Sequence, residues 1–131
     1  MELQELAGLG RIKKEKTILK DMKVVMHTLS VEEQEDVLKT LASTPDDLLY
    51  KTYRLQIETL TRAIEQIGNV KFFSVDEGRK VLKSLQKDFL KLLWNEYENL
   101  EKENEEGFEA LKKNSEQTSA ASSGNTAKPS K

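Results

Sequence analysis

The hydrophobic positions of this chain change period along its length, and each change predicts an element. In "RIKKEKTILKDMKVVMHTLS", Ile18-Leu19 and Val24-Val25-Met26 flank Lys20-Asp21, while Met22, Val24 and Met26 alternate with Lys23, Val25 and His27. Alternation of period two sends successive side chains to opposite faces of an extended chain. It predicts a β-hairpin with strands at 12–19 and 22–29 and a tight turn at Lys20-Asp21. Before it, Leu3, Leu6 and Leu9 have helical spacing, but Gly8 and Gly10 end any helix early.

After the hairpin the period lengthens. Ser30 with Glu33 three residues on forms a capping box, in which side-chain oxygens satisfy orphan amides at a helix start. The helix it opens runs to about Ala42, with Val31, Val37, Leu38 and Leu41 expected inside. In "STPDD", Thr44 is the expected N-cap and Pro45 the first residue of another helix, with Asp46 and Asp47 at the positive end of its dipole. From there Leu49, Tyr53, Ile57, Leu60, Ile64 and Ile67 form one amphipathic stripe that stops at Gly68. Val70, Phe72 and Phe73 in the connector "NVKFFS" are expected to plug the base of the core, and Ser74 with Glu77 to launch the last helix.

That last helix raises the functional question. Val81, Leu82, Leu85, Phe89, Leu92 and Leu93 attach it to the domain. Leu90, Leu93, Tyr97, Leu100, Asn104, Gly107 and Leu111 then alternate by three and four like a coiled-coil seam, with a polar residue and a glycine at two of its positions. Phe108 and Leu111 stand eleven or more residues beyond Tyr97, about 16 Å along a helix rising 1.5 Å per residue. A thin domain is not expected to shelter them. Leu93, Trp94, Tyr97, Leu100, Phe108 and Leu111 are therefore the candidate partner-binding residues. From Ser115 the chain holds no large apolar residue, and such a segment cannot repay the entropy of folding, so residues 114–131 are expected to be a disordered tail. The domain proper is placed at 11–113, with 1–10 as an N-terminal segment.

Composition narrows the functional class. The 131 residues are 37% hydrophobic and 34% charged, and a chain of this size buries about two thirds of its unfolded surface around a modest core. The formal charge of −2 gives no general pull toward nucleic acid or an anionic membrane. The charge is instead sorted along the chain. Arg11, Lys13, Lys14, Lys16, Lys20 and Lys23 against Glu15 and Asp21 leave the hairpin at +4. Seven glutamates between residues 95 and 113 against Lys102, Lys112 and Lys113 leave the arm at −4. A basic head and an acidic arm suit a protein that meets other proteins, or copies of itself, head to arm. The hairpin lacks the interleaved aromatics that stack bases, and strand lysines commonly guard sheet edges, so no nucleic-acid partner is expected. The absence of cysteine excludes disulfides and thiolate metal sites. The N-terminus lacks a basic start and a long apolar run, and no stretch reaches the ~18 apolar residues of a membrane span. A soluble, cytoplasmic protein without a membrane partner is expected.

Reactive chemistry is sparse. His27 is the single histidine and sits on a strand among apolar neighbours, where it reads as structural. Ser30 and Ser74 are already occupied as caps, and no glycine-rich phosphate loop is present. The arm glutamates point all round their helix rather than toward one centre. No catalytic residue, cofactor or metal ligand is assigned, and the chain is read as a non-enzyme.

The succession "TLSVEEQEDVLKTL", "YRLQIETLTRAIEQIG" and "LKSLQKDFLKLLWNEYENLEKENEEGFEALKKN" resembles the tail assembly chaperones and baseplate hub assembly proteins of tailed bacteriophages. The resemblance covers most of residues 11–113. It implies an escort, working in the host cytoplasm, that binds apolar helices of the tape-measure or hub protein until the tail assembles. A structural subunit retained in the baseplate or connector is the alternative, and a cellular adaptor a third. The expected fold is α+β: an N-terminal antiparallel hairpin packed on three helices, with a long C-terminal helix and a disordered tail.

Overall fold

The computed structural model describes residues 2–8, 11–19 and 21–123, with 6–8 and 114–123 as backbone alone. In chain order the elements are α1 (Leu3–Gly8), β1 (Lys13–Ile18), β2 (Met22–His27), α2 (Val31–Ala42), α3 (Leu48–Ala63), β3 (Ile64–Ile67), β4 (Val70–Lys71), α4 (Val75–Lys83) and α5 (Lys87–Ser123). The fold is α+β, as the sequence pattern predicts. The expected hairpin forms, with Lys13 opposite His27 and Ile18 opposite Met22, and Leu19 takes a left-handed φ of 38° in the turn. It is, however, half of a four-stranded antiparallel sheet in the order β1-β2-β3-β4.

β3 is where the helical stripe is misleading. Ile64 and Ile67 continue the spacing of α3, yet α3 ends at Ala63 and Ile64 is extended, with φ −85° and ψ 130°. A β2 lacking this neighbour would carry a buried edge of unpaired amides and carbonyls, and β3 supplies the partners. Val24 pairs with Ile67, Val25 with Gln66 and Met26 with Ile64, so Glu65 is an extra residue in a bulge. A bulge shifts the phase of a strand by one. Residues three apart can then share a face, and both isoleucines enter the same core cluster. Gly68 does not end a helix but opens the turn between β3 and β4, at φ +58°.

The caps show what sequence spacing resolves. Ser30 and Glu33 form the full capping box at the start of α2, and Ser74 Oγ accepts from the Glu77 amide at 3.1 Å at the start of α4. α3 is capped by Asp47, whose carboxylate accepts from the Tyr50 amide at 2.9 Å, rather than by Thr44. Thr44 Oγ1 instead donates back to the Thr40 carbonyl, closing α2, and Pro45 lies in the connector. The last helix is two helices, because the chain turns at Ser84–Gln86 with no glycine or proline to announce it. The turn lets α4 lie on α3 while α5 crosses the sheet. α5 continues through Ser123, past the Ser115 where composition places the end of order, and residues 124–131 lie outside the described residues.

One core cluster joins Ile18, Val24 and Met26 of the hairpin, Leu60, Ala63, Ile64 and Ile67 of α3–β3, Leu82 of α4, and Leu90, Leu93, Tyr97 and Leu100 of α5. Val37 is the fully buried member of α2, whereas Val31 and Leu38, also expected inside, face solvent. Phe72 packs on the core, but Val70 and Phe73 are exposed rather than plugging its base.

Candidate docking surface

α5 carries all six residues assigned to partner contact, and the fold divides them. Leu93, Tyr97 and Leu100 are at most 3% exposed and belong to the core, so they are not a free docking face. Their seam lies over Ile18, Val24 and Met26, the covered face of the hairpin, which the sequence of α5 alone does not reveal. Trp94 is partly buried at the margin, its ring 5.7 Å from that of Tyr97. Phe108 and Leu111 are each 52% exposed on the overhanging part of the helix.

Charge reinforces the division. Lys14 and Lys16 occupy the same face of β1 as Ile18, and they reach α5 as Lys14–Glu103 at 2.6 Å and Lys16–Glu96 at 2.8 Å. The basic head and acidic arm are thus partly satisfied within one chain, along the edges of the Leu100 contact. Tyr97 donates its hydroxyl to Glu101 Oε2 at 2.6 Å. Burial pushes the phenol's pKa up, and the bond to Glu101 and the charge beside it push the same way. Tyr97 is a fixed, protonated core residue.

The molecule's most enclosed charge is elsewhere. Glu58 on α3 is fully buried and accepts from Arg79 Nε at 2.6 Å, Arg79 Nη2 at 2.7 Å and Arg62 Nη1 at 2.9 Å, with Arg54 Nη2 at 3.4 Å. Burial pushes the carboxyl pKa up, but the bonds from Arg79 and Arg62 and the charges of Arg79 and Arg54 outweigh it and hold the value at about 2. Arg79 also donates to Asp76 at 2.8 Å. Both carboxylate oxygens are occupied, so the cluster clamps α3 to α4 and offers no reactive group. His27 Nδ1 lies 2.7 Å from Arg11 Nη1 and 2.8 Å from the Thr28 carbonyl oxygen, inside the sheet's own network. Among the described residues no group of His, Cys, Asp or Glu side chains could hold a metal ion, and no helix is long and apolar enough to cross a membrane.

A second apolar surface emerges where the stripe of α3 was expected to be core. Leu48, Leu49, Tyr50 and Tyr53 are exposed at the start of α3, with Leu49 at 68%. The signal was present: three consecutive apolar residues at a helix start cannot all face inward. Leu49 and Tyr53 line one wall of a cleft of about 230 Å³ whose other wall is Lys87, Asp88 and Lys91 of α5. A shallower groove further along α5 runs beside Trp94 between Glu98, Glu101, Lys102 and Glu105. The chain matches no family model, and no curated protein or solved structure matches it.

Proposed function

We propose that the chain is a non-enzymatic, virus-encoded assembly chaperone that shields an apolar helix of a tail tape-measure or baseplate hub protein in the host cytoplasm until that protein is built into the particle. The observation that carries this reading is the pair Phe108 and Leu111, half exposed on a helix that has already left its sheet. Burying each against a partner contributes on the order of 1.5–3 kcal/mol. Glu105, Glu106 and Glu109 surround them, which favours a partner helix with basic residues flanking its apolar face. Trp94, at the rim of the groove, extends the contact toward the body, and no chemistry beyond apolar contact and charge is required.

Co-expression with the tape-measure or hub protein of the same genome, followed by co-purification, tests the proposal. The unaltered chain is expected to co-purify, and Phe108→Ser with Leu111→Ser to lose the partner while keeping the same circular dichroism. Mass spectrometry of finished particles supplies the opposite outcome. Recovery at the stoichiometry of a structural component would overturn the escort role and leave a subunit retained in the baseplate or connector.

A further inference from the structure

We propose that two copies of this chain pair through antiparallel α5 helices, each seating its Phe108 in the cleft between α3 and α5 of the other. The inference rests on the solvent face of α5 and on the cleft, and it stands whether or not the escort reading holds. Lys87, Lys91, Trp94, Glu98, Glu101, Glu105, Phe108 and Lys112 recur at alternating spacings of four and three, so they lie on one face of the helix. This face is distinct from the buried seam of Leu90, Leu93, Tyr97 and Leu100. It begins basic, at Lys87 and Lys91, and becomes acidic at Glu98, Glu101 and Glu105, with Glu109 beside it. Such a sequence repels a parallel copy and attracts an antiparallel one.

The intrachain pairing points the same way. Glu96 and Glu103, turned toward the sheet, are satisfied by Lys16 and Lys14. Lys87, Lys91, Glu105 and Glu109 are exposed, and none of them is in an ion pair among the described residues. Placing the two-fold axis at Glu98 brings Lys91 opposite Glu105 of the second copy, Lys87 opposite Glu109, and Trp94 opposite Lys102. The same register carries Phe108 to the level of Asp88, where Leu49 and Tyr53 form the apolar wall of the cleft. Glu98 meets its own copy at the axis, with Lys102 one turn away to offset it.

Phe108 cannot fill the cleft of its own chain. Phe108 lies 17 residues beyond Lys91 on the same continuous helix, about 26 Å away at 1.5 Å per residue. A helix without proline or a break does not fold back on itself.

Sedimentation equilibrium of the purified full-length chain tests the proposal. The expected mass is twice 15.0 kDa. It should fall to a single chain for Lys87→Glu with Lys91→Glu, and likewise for Glu105→Lys with Glu109→Lys. Mixing the two variants should restore the two-chain mass, because positions 87 and 91 of each chain then face opposite charges at 109 and 105 of the other. Phe108→Ser should raise the dissociation constant at least tenfold, with unchanged circular dichroism. A single-chain mass at concentrations of hundreds of micromolar, or reversal variants that stay single after mixing, would overturn the proposal. So would a mass that climbs past two chains with concentration, the mark of an open head-to-tail array. The measurement uses this chain alone, so its failure is separate from failure to bind a tail protein.

Discussion

The two halves of α5 have nearly the same apolar rhythm and opposite fates. From Leu90 to Leu100 the seam is inside, at most 5% exposed, while at Leu111 it is half open to water, as is Phe108 on the adjoining face. Helical periodicity defines a face without naming what lies opposite it. The sheet lies opposite the first half, and it runs out near Glu103, the last arm residue paired to a strand lysine. Burial, and with it the division between scaffold and offered surface, is decided by the reach of the sheet.

The comparison breaks most readily in the seam. Leu93→Ala removes a fully buried side chain from the core cluster that also holds Ile18, Val24 and Met26, and it should lower unfolding free energy by about 2–5 kcal/mol in urea titrations. Glu58→Gln strips the α3–α4 clamp of its anion and leaves three arginines gathered without it. A loss of about 3 kcal/mol is expected. The pH dependence sharpens this. The folded carboxyl pKa is depressed from 4.5 to about 2, so the stabilisation is fully present above the ordinary value and drains away as pH falls toward 2. Urea midpoints should decline across that window in the unaltered chain and less steeply in Glu58→Gln.

Gly78→Ala tests how closely the scaffold helices approach. An added Cβ would stand 2.6 Å from Thr61 Oγ1 and 2.8 Å from Phe72 Cδ2. The chain must shift to admit it, at a cost of about 1–3 kcal/mol. The same change at Gly107, where an added Cβ meets nothing within 4 Å, should be neutral or slightly stabilising. Smallest of all, Lys14→Ala and Lys16→Ala remove partly exposed pairs at the sheet's edge. Each should cost under about 1 kcal/mol, and less at high salt.

Much of the scaffold was legible because local chemistry agreed with it. The strand at Met22–His27, the Ser30–Glu33 box and the Ser74 cap appear where spacing puts them, although Val24 to His27 are buried on both faces rather than one. Two features hid behind a correct pattern. Ile64 and Ile67 keep helical spacing but serve a bulged strand, since β2 needs an inner partner more than α3 needs another turn. Leu93, Tyr97 and Leu100 read as a docking seam because the hairpin's matching face could not be docked from the sequence. Lys14 and Lys16 alternating with Ile18, against Glu96 and Glu103 straddling Leu100, was the available clue. Phe108 and Leu111 stayed outside the core because nothing among the described residues covers them, while the cleft wall of Leu49 and Tyr53 was hidden by a stripe that seemed continuous.

Unfolding free energies of two variants, compared at a protein concentration low enough to keep the chain single, test the division of α5 most directly. Leu100→Ala should cost about 2–5 kcal/mol, and the pair Phe108→Ala with Leu111→Ala under about 0.5 kcal/mol. An arm pair as costly as Leu100 would place those side chains inside the fold and contradict the account.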